Sequence, residues 1–176
     1  MLKVLGSLTP LPAAEHPELL AEPVAKAIAG LTGIEVAVID PALADTAAFC
    51  EAYGSAPEYS ANCVVVSGKR AGEVRYAACL VLATTRADVN GVVKRRLDVR
   101  KASFAPMDRA VELTGMEYGG ITPLGLPADW PLFVAPGVAA AEAVVVGSGI
   151  RGSKLAVPGA VLAALPNAEI VDDLAL

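Results

Sequence analysis

Strand-type and helix-type segments follow one another in this chain without a regular alternation, and that order limits the fold more than any single residue does. Residues 62–66 (Asn-Cys-Val-Val-Val) and 74–83 (Val-Arg-Tyr-Ala-Ala-Cys-Leu-Val-Leu-Ala) read as two apolar strands. Ser67-Gly-Lys-Arg-Ala-Gly72 lies between them and reads as a hairpin loop. Further strands are expected at 34–39, 102–105, 132–134, 144–146, 155–157 and 169–171. Helix signals are interspersed. Pro23 opens a helix towards Gly30, Asp45 caps one that stops at Gly54, and Asp88 caps one through Leu97. Pro106 opens a helix that ends at Gly115, and short helices start at Pro136 and Pro158. Hairpins and strand–helix units are mixed, so an α/β (α+β) domain with a mixed sheet is expected, not a strictly parallel one.

The 176 residues suit a single domain. Hydrophobic residues make up 55% and aromatic residues only 5%, which favours layered strands and helices over an aromatic-rich binding module. A net charge of −5 argues against general affinity for nucleic acid or anionic membrane, so any tRNA contact needs a local basic patch. No run of about 18 uncharged apolar residues suggests a membrane helix. The opening Met1 to Pro10 holds too short an apolar stretch for a signal peptide, so a cytoplasmic location is expected. Cys50, Cys63 and Cys79 sit among apolar residues and read as buried small hydrophobes. His16, the single histidine, lies in a Pro-rich segment, away from any rigid scaffold that a catalytic triad would need. No His/Cys cluster has metal-ligand spacing, so neither metal nor cofactor is expected.

Gly147-Ser-Gly149-Ile-Arg-Gly152 spells a G-x-G-x-x-G fingerprint after a strand. A dinucleotide site needs a helix opening at those glycines, whereas Ser153-Lys-Leu-Ala-Val-Pro158 reads as a strand. A tight turn, or a bare backbone surface for a ligand, fits better. The segment Thr114-Gly-Met-Glu-Tyr-Gly-Gly-Ile-Thr-Pro-Leu-Gly125 carries more information. Its density of glycine exposes backbone N–H and C=O groups that can hold a polar ligand or an oxyanion without a catalytic side chain.

This segment closely resembles the T-G-x-x-x-G-G-I-x-P-x-G signature of the YbaK/EbsC/prolyl-tRNA-synthetase-associated family. It matches at Thr114, Gly115, Gly119, Gly120, Ile121, Pro123 and Gly125. A second similarity lies at 146–152, and together they cover the chain from about Ala44 onwards. The resemblance implies a compact domain, 44–176, with a partly barrel-like mixed sheet surrounded by helices. Residues 1–43 would form an extension, with one helix and one strand, packed on it. It implies aminoacyl-tRNA editing, the hydrolysis in trans of the ester of a mischarged tRNA. Mischarged tRNA and an aminoacyl-tRNA synthetase are the implied partners. By correspondence Gly119 and Gly120 line the acyl site, and Gly147, Ser148 and Gly149 form its opposite wall. Thr122, Pro123 and Arg151 are expected to touch substrate.

One position departs from the pattern. Editing members carry a lysine where this chain has Asn62, and an amide donates hydrogen bonds without bringing charge. Asn62 is therefore either a differently used catalytic residue, with Asn62→Lys expected to raise deacylation, or the mark of a module that binds without turnover. A structural domain with a vestigial pocket is a third reading. The run Lys94-Arg95-Arg96-Leu-Asp-Val-Arg100-Lys101 holds five cations and one acid. It is either the solvated end of a helix or the surface that grips tRNA phosphates.

Overall fold

The apolar run at 74–83 becomes the spine of the larger of two sheets. The computed structural model describes residues 4–176; the first three residues of the N-terminal extension lie outside it. In chain order the strands are β1 (Leu11–Pro12), β2 (Glu35–Val38), β3 (Ala61–Arg70), β4 (Glu73–Leu82), β5 (Ala102–Phe104), β6 (Leu132–Val134), β7 (Val144–Gly147), β8 (Ser153–Val157) and β9 (Ala168–Ile170). The helices are α1 (Glu22–Ile28), α2 (Thr46–Tyr53), α3 (Lys94–Leu97), α4 (Met107–Thr114), α5 (Pro136–Ala139) and α6 (Gly159–Ala163). The larger sheet has the order β5-β3-β4-β6-β9 and the smaller one β1-β2-β8-β7.

β4 pairs antiparallel with β3 and parallel with β6, and its central residues Ala77 to Val81 are buried. A strand covered on both faces must be apolar without alternation, which is what this run supplies. The smaller sheet is antiparallel throughout, and a single bridge, Ser60 to Val145, joins the two sheets. The expected mixed α/β domain is therefore present, with its strands divided between two sheets. β1, β2 and α1 all come from the N-terminal 43 residues, and β2 pairs with β8 from Glu35↔Ala156 to Val38↔Ser153.

The smaller sheet buries both faces, in alternation. Val36, Val144, Val146, Leu155 and Val157 enter the main core shared with the larger sheet. Ala37, Val145 and Ala156 point the other way and pack under Phe49 and Cys50 of α2. Period-two alternation places Lys154 on this second face beside Ala156.

Local signals set most element ends. Gly54 and Gly115 take left-handed conformations (φ 68° and 69°) that terminate α2 and α4. The Asp88 carboxylate accepts the N–H groups of Gly91 and Val92 at 3.1 and 3.2 Å, opening a π-type turn that leads into α3. The hairpin differs from the sequence expectation. Ser67 to Arg70 extend β3, and the turn is only Ala71-Gly72, both with positive φ (52° and 84°). A two-residue turn of that kind follows the right-handed twist of its strands, so the pairing with β4 continues to Arg70↔Glu73.

Candidate functional site

A cavity of about 690 Å³ opens beside the bridge between the two sheets. β3 explains its position. That strand is flanked by β4 along its whole length, but by β5 only from Val66 to Gly68. The outer edge of its first residues, Ala61 to Val64, borders the cavity instead. The start of α2, the β5–α4 turn, the Gly-rich loop, β7 and Lys154 of β8 complete the walls.

The two glycine-rich segments seen in the sequence are sewn together by backbone. Gly149 N–H donates to the Gly120 carbonyl (2.7 Å), Glu117 N–H to the Gly149 carbonyl (2.8 Å), and Gly120 N–H to the Glu117 carbonyl (2.9 Å). Arg151 N–H donates to Glu117 Oε1 (2.8 Å), and the Arg151 guanidinium donates to the Tyr118 carbonyl (3.2 Å) while lying over the Tyr118 ring. Glycine is required where these backbones approach. A Cβ on Gly147 would stand 2.5 Å from the Gly120 carbonyl oxygen, and one on Gly120 would stand 2.9 Å from Ile150 backbone atoms.

The expected site residues therefore divide. Asn62, Gly119 and Gly147 line the cavity. Gly120, Thr122, Pro123, Ser148, Gly149 and Arg151 do not. Gly120 and Gly149 spend their backbone groups on each other and on Glu117, and Ser148 is fully buried against Ser153, with their hydroxyl oxygens 2.6 Å apart. Thr122 is fully buried, its hydroxyl without a partner among the described residues, and Pro123 is buried beside it. Arg151 braces the loop. These six hold the wall in place from behind.

Few polar groups face the cavity. Thr46 Oγ1 donates to Asn62 Oδ1 at 3.0 Å. Asp45 occupies the N-cap position of α2, but its carboxylate makes no capping bond and stays exposed at the rim. Burial pushes the Cys63 thiol above its ordinary range, which disfavours its thiolate. His16 bonds Glu18 (2.9 Å) and is not among the lining residues.

Lys154 is the residue that the sequence reading passed over. It lies directly across from Gly147 in the β7–β8 pair, is only 8% exposed, and lines the cavity with its ammonium 5.7 Å above the Phe49 ring. No carboxylate lies within 4.0 Å of it among the described residues. Burial lowers its pKa from the usual lysine value; Asp45 acts against that shift and Arg151 with it. The signal was a lone charge inside the short apolar strand Ser-Lys-Leu-Ala-Val.

The basic run surrounds α3. Arg96 pairs with Glu169, and Asp98 pairs with Arg70 and Arg75 across the hairpin. Lys94, Arg95, Arg100 and Lys101 have no carboxylate partner among the described residues. Lys101 precedes by three residues the exposed Phe104, which lines the cavity. At about 3.3 Å per extended residue, basic surface begins about 10 Å from the opening.

Residues 40–165 match the family model of the aminoacyl-tRNA editing domain. Among solved structures, a candidate trans-editing enzyme for prolyl tRNA synthetase is similar at a TM-score of 0.73 and 21% identity, over 88% of this chain and 96% of that one. A hypothetical protein, APE2540, is similar at 0.75 and 22%, over 88% and 100%. At such identities the likeness speaks for the fold. No curated protein matches the sequence. The family match spans most of the chain and takes in the Asn62 strand, both glycine segments and Lys154, and by it this chain belongs to the aminoacyl-tRNA editing domain family.

Proposed function

We propose that this protein hydrolyses, in trans, the ester bond of mischarged aminoacyl-tRNA. The observation that carries the reading is the cavity itself, formed where the two glycine segments meet the Asn62 end of β3. Its volume of about 690 Å³ lies within the usual range for small-ligand sites, and its walls are mostly apolar with a few placed polar groups. Such a space is large enough to accept an aminoacyl group. Asn62, Gly119 and Gly147 are the wall residues that we assign to the acyl group. A panel of mischarged tRNAs, without added metal, tests the reading. At least one is expected to lose its amino acid well above the spontaneous rate, and a panel with no cleavage would end the deacylase reading. A binding module without turnover is the second reading, favoured by Asn62 in place of the family's lysine, and the same panel separates the two.

We assign the tRNA backbone to the basic surface, with Lys94, Arg95, Arg96, Arg100 and Lys101 as its candidate contacts. Arg96 is already engaged by Glu169, so the triple change Lys94→Ala, Arg95→Ala, Lys101→Ala is the cleaner test. It is expected to weaken tRNA binding and to flatten the dependence of log Kd on log salt by about 1 for each cation that touches phosphate. A filter-binding series across salt concentrations reads the slope, and an unchanged slope returns these residues to the role of a solvated helix end.

A further inference from the structure

We propose that Lys154 supplies the cation of this site, in place of the lysine that editing members carry at the Asn62 position. Its Nζ would hold the oxygen that becomes negative during ester hydrolysis. The inference rests on the deacylase reading above and assigns the group that stabilises its transition state.

Three observations carry it. First, Lys154 is 8% exposed and has no carboxylate within 4.0 Å among the described residues. A buried ammonium without a counter-charge is costly to keep, and such groups concentrate at functional sites. Second, Lys154 and Asn62 line the same cavity from different sheets, so the charge missing from β3 is present on β8. Third, its cross-strand neighbour is Gly147. With no side chain at Gly147, the Gly-rich loop closes onto the strand position next to Lys154: the Gly120 and Ile121 carbonyl oxygens lie 2.5 and 3.1 Å from where a Cβ on Gly147 would stand. The ammonium rests near the Phe49 ring, which favours a cation without neutralising it.

In the reaction, a water oxygen bonds to the acyl carbon, and the π pair of the C=O moves onto the carbonyl oxygen. Lys154 donates a hydrogen bond to that oxyanion and stays protonated throughout. When the C=O re-forms, the bond to the ribose oxygen breaks and that oxygen takes one proton of the attacking water. The amino acid leaves as its carboxylate, and the second water proton goes to solvent. A donor held in advance where charge develops stabilises it without having to reorganise during the reaction.

The test compares parent, Lys154→Met and Lys154→Gln on the mischarged tRNA that the parent cleaves best. Both variants are expected to lose about 100-fold or more in kcat with KM changed by less than about 3-fold, the pattern of an interaction made only in the transition state. Melting temperature should hold or rise, since a buried unpaired charge is removed. The parental rate should fall as pH rises through the lowered Lys154 pKa, because the cation is then lost; the variants should lack that limb. Asp45, Cys50 and Arg151 are the titratable or charged neighbours; Asp45→Asn should move the limb down, and Cys50→Ala should move it the same way by less. A folded Lys154→Met or Lys154→Gln with more than about a third of parental kcat overturns the proposal. If the parent cleaves nothing, the deacylase reading fails separately. Binding of an adenosine 3′-aminoalkylphosphonate, an anionic mimic of the tetrahedral species, then decides Lys154. Calorimetry should show at least about 30-fold weaker binding in both variants. Equal affinities, or no binding to the parent, overturn the cation assignment.

Discussion

Gly147→Ala is expected to lower the stability of this protein by about 3 kcal/mol, from overpacking of 1–3 kcal/mol and about 1 kcal/mol for one strained hydrogen bond. The added methyl would lie 2.5 Å from the Gly120 carbonyl oxygen and 2.9 Å from its carbon. Both are backbone atoms and neither can rotate aside. The same oxygen accepts the Gly149 N–H, so a shift that relieves the clash also strains that bond. Gly120→Val should behave alike, because its Cβ meets the Ile150 backbone and does not enter the cavity. Gly119→Ala is the contrast. Its Cβ meets the flexible end of the Arg151 side chain and no backbone atom; the cost is the positive φ of 79°, about 1 kcal/mol, and the exposed Arg151 contacts with Tyr118 that give way. Urea denaturation of the three variants ranks them. If Gly147→Ala melts with the parent, the two segments do not hold the wall in the manner described.

Asn62→Lys is expected to act in opposite ways depending on residue 154. Judged by the family pattern alone, the change restores a missing cation and should raise turnover. With Lys154 in the same mostly apolar cavity, it instead brings two ammonium groups together. Each disfavours the charged form of the other, so the variant should be less stable and no more active than the parent. In a Lys154→Met background the second charge is gone. Asn62→Lys should then recover at least about 10-fold of the lost kcat, as one cation lining the cavity is restored. Rates for the parent, both single variants and the double variant form a cycle whose coupling term is the result sought. The same fold gain in both backgrounds would mean that the two positions act independently, and that no charge has moved between the sheets.

The order of strands and helices was legible because its signals are local. Gly54 and Gly115 stop helices by adopting φ values that other residues resist, and Asp88 caps its turn with its own carboxylate. The glycine signature was legible for a related reason: close backbone approach at Gly120 and Gly147 and positive φ at Gly115 and Gly119 disfavour any other residue there. The hairpin end was not legible. Ser67-Gly-Lys-Arg has the composition of a loop, yet pairing with β4 draws it into the strand and confines the turn to Ala71-Gly72. The role of each signature residue was not legible either. Gly119 and Gly147 face the cavity while Gly120 and Gly149 face each other, and that depends on how residues 117–120 meet 149–151. Lys154 shows the division most clearly. Its strand could be read from Ser153-Lys-Leu-Ala-Val157, and alternation puts it on a face with Ala156. Whether that face meets solvent or a cavity is decided by α2 and by the Gly-rich loop, which reach it from far along the chain. A side chain's partners are set by tertiary packing, so the sequence by itself determined the strand, the glycine turns and the family, and only the folded structure made one lysine a buried cation.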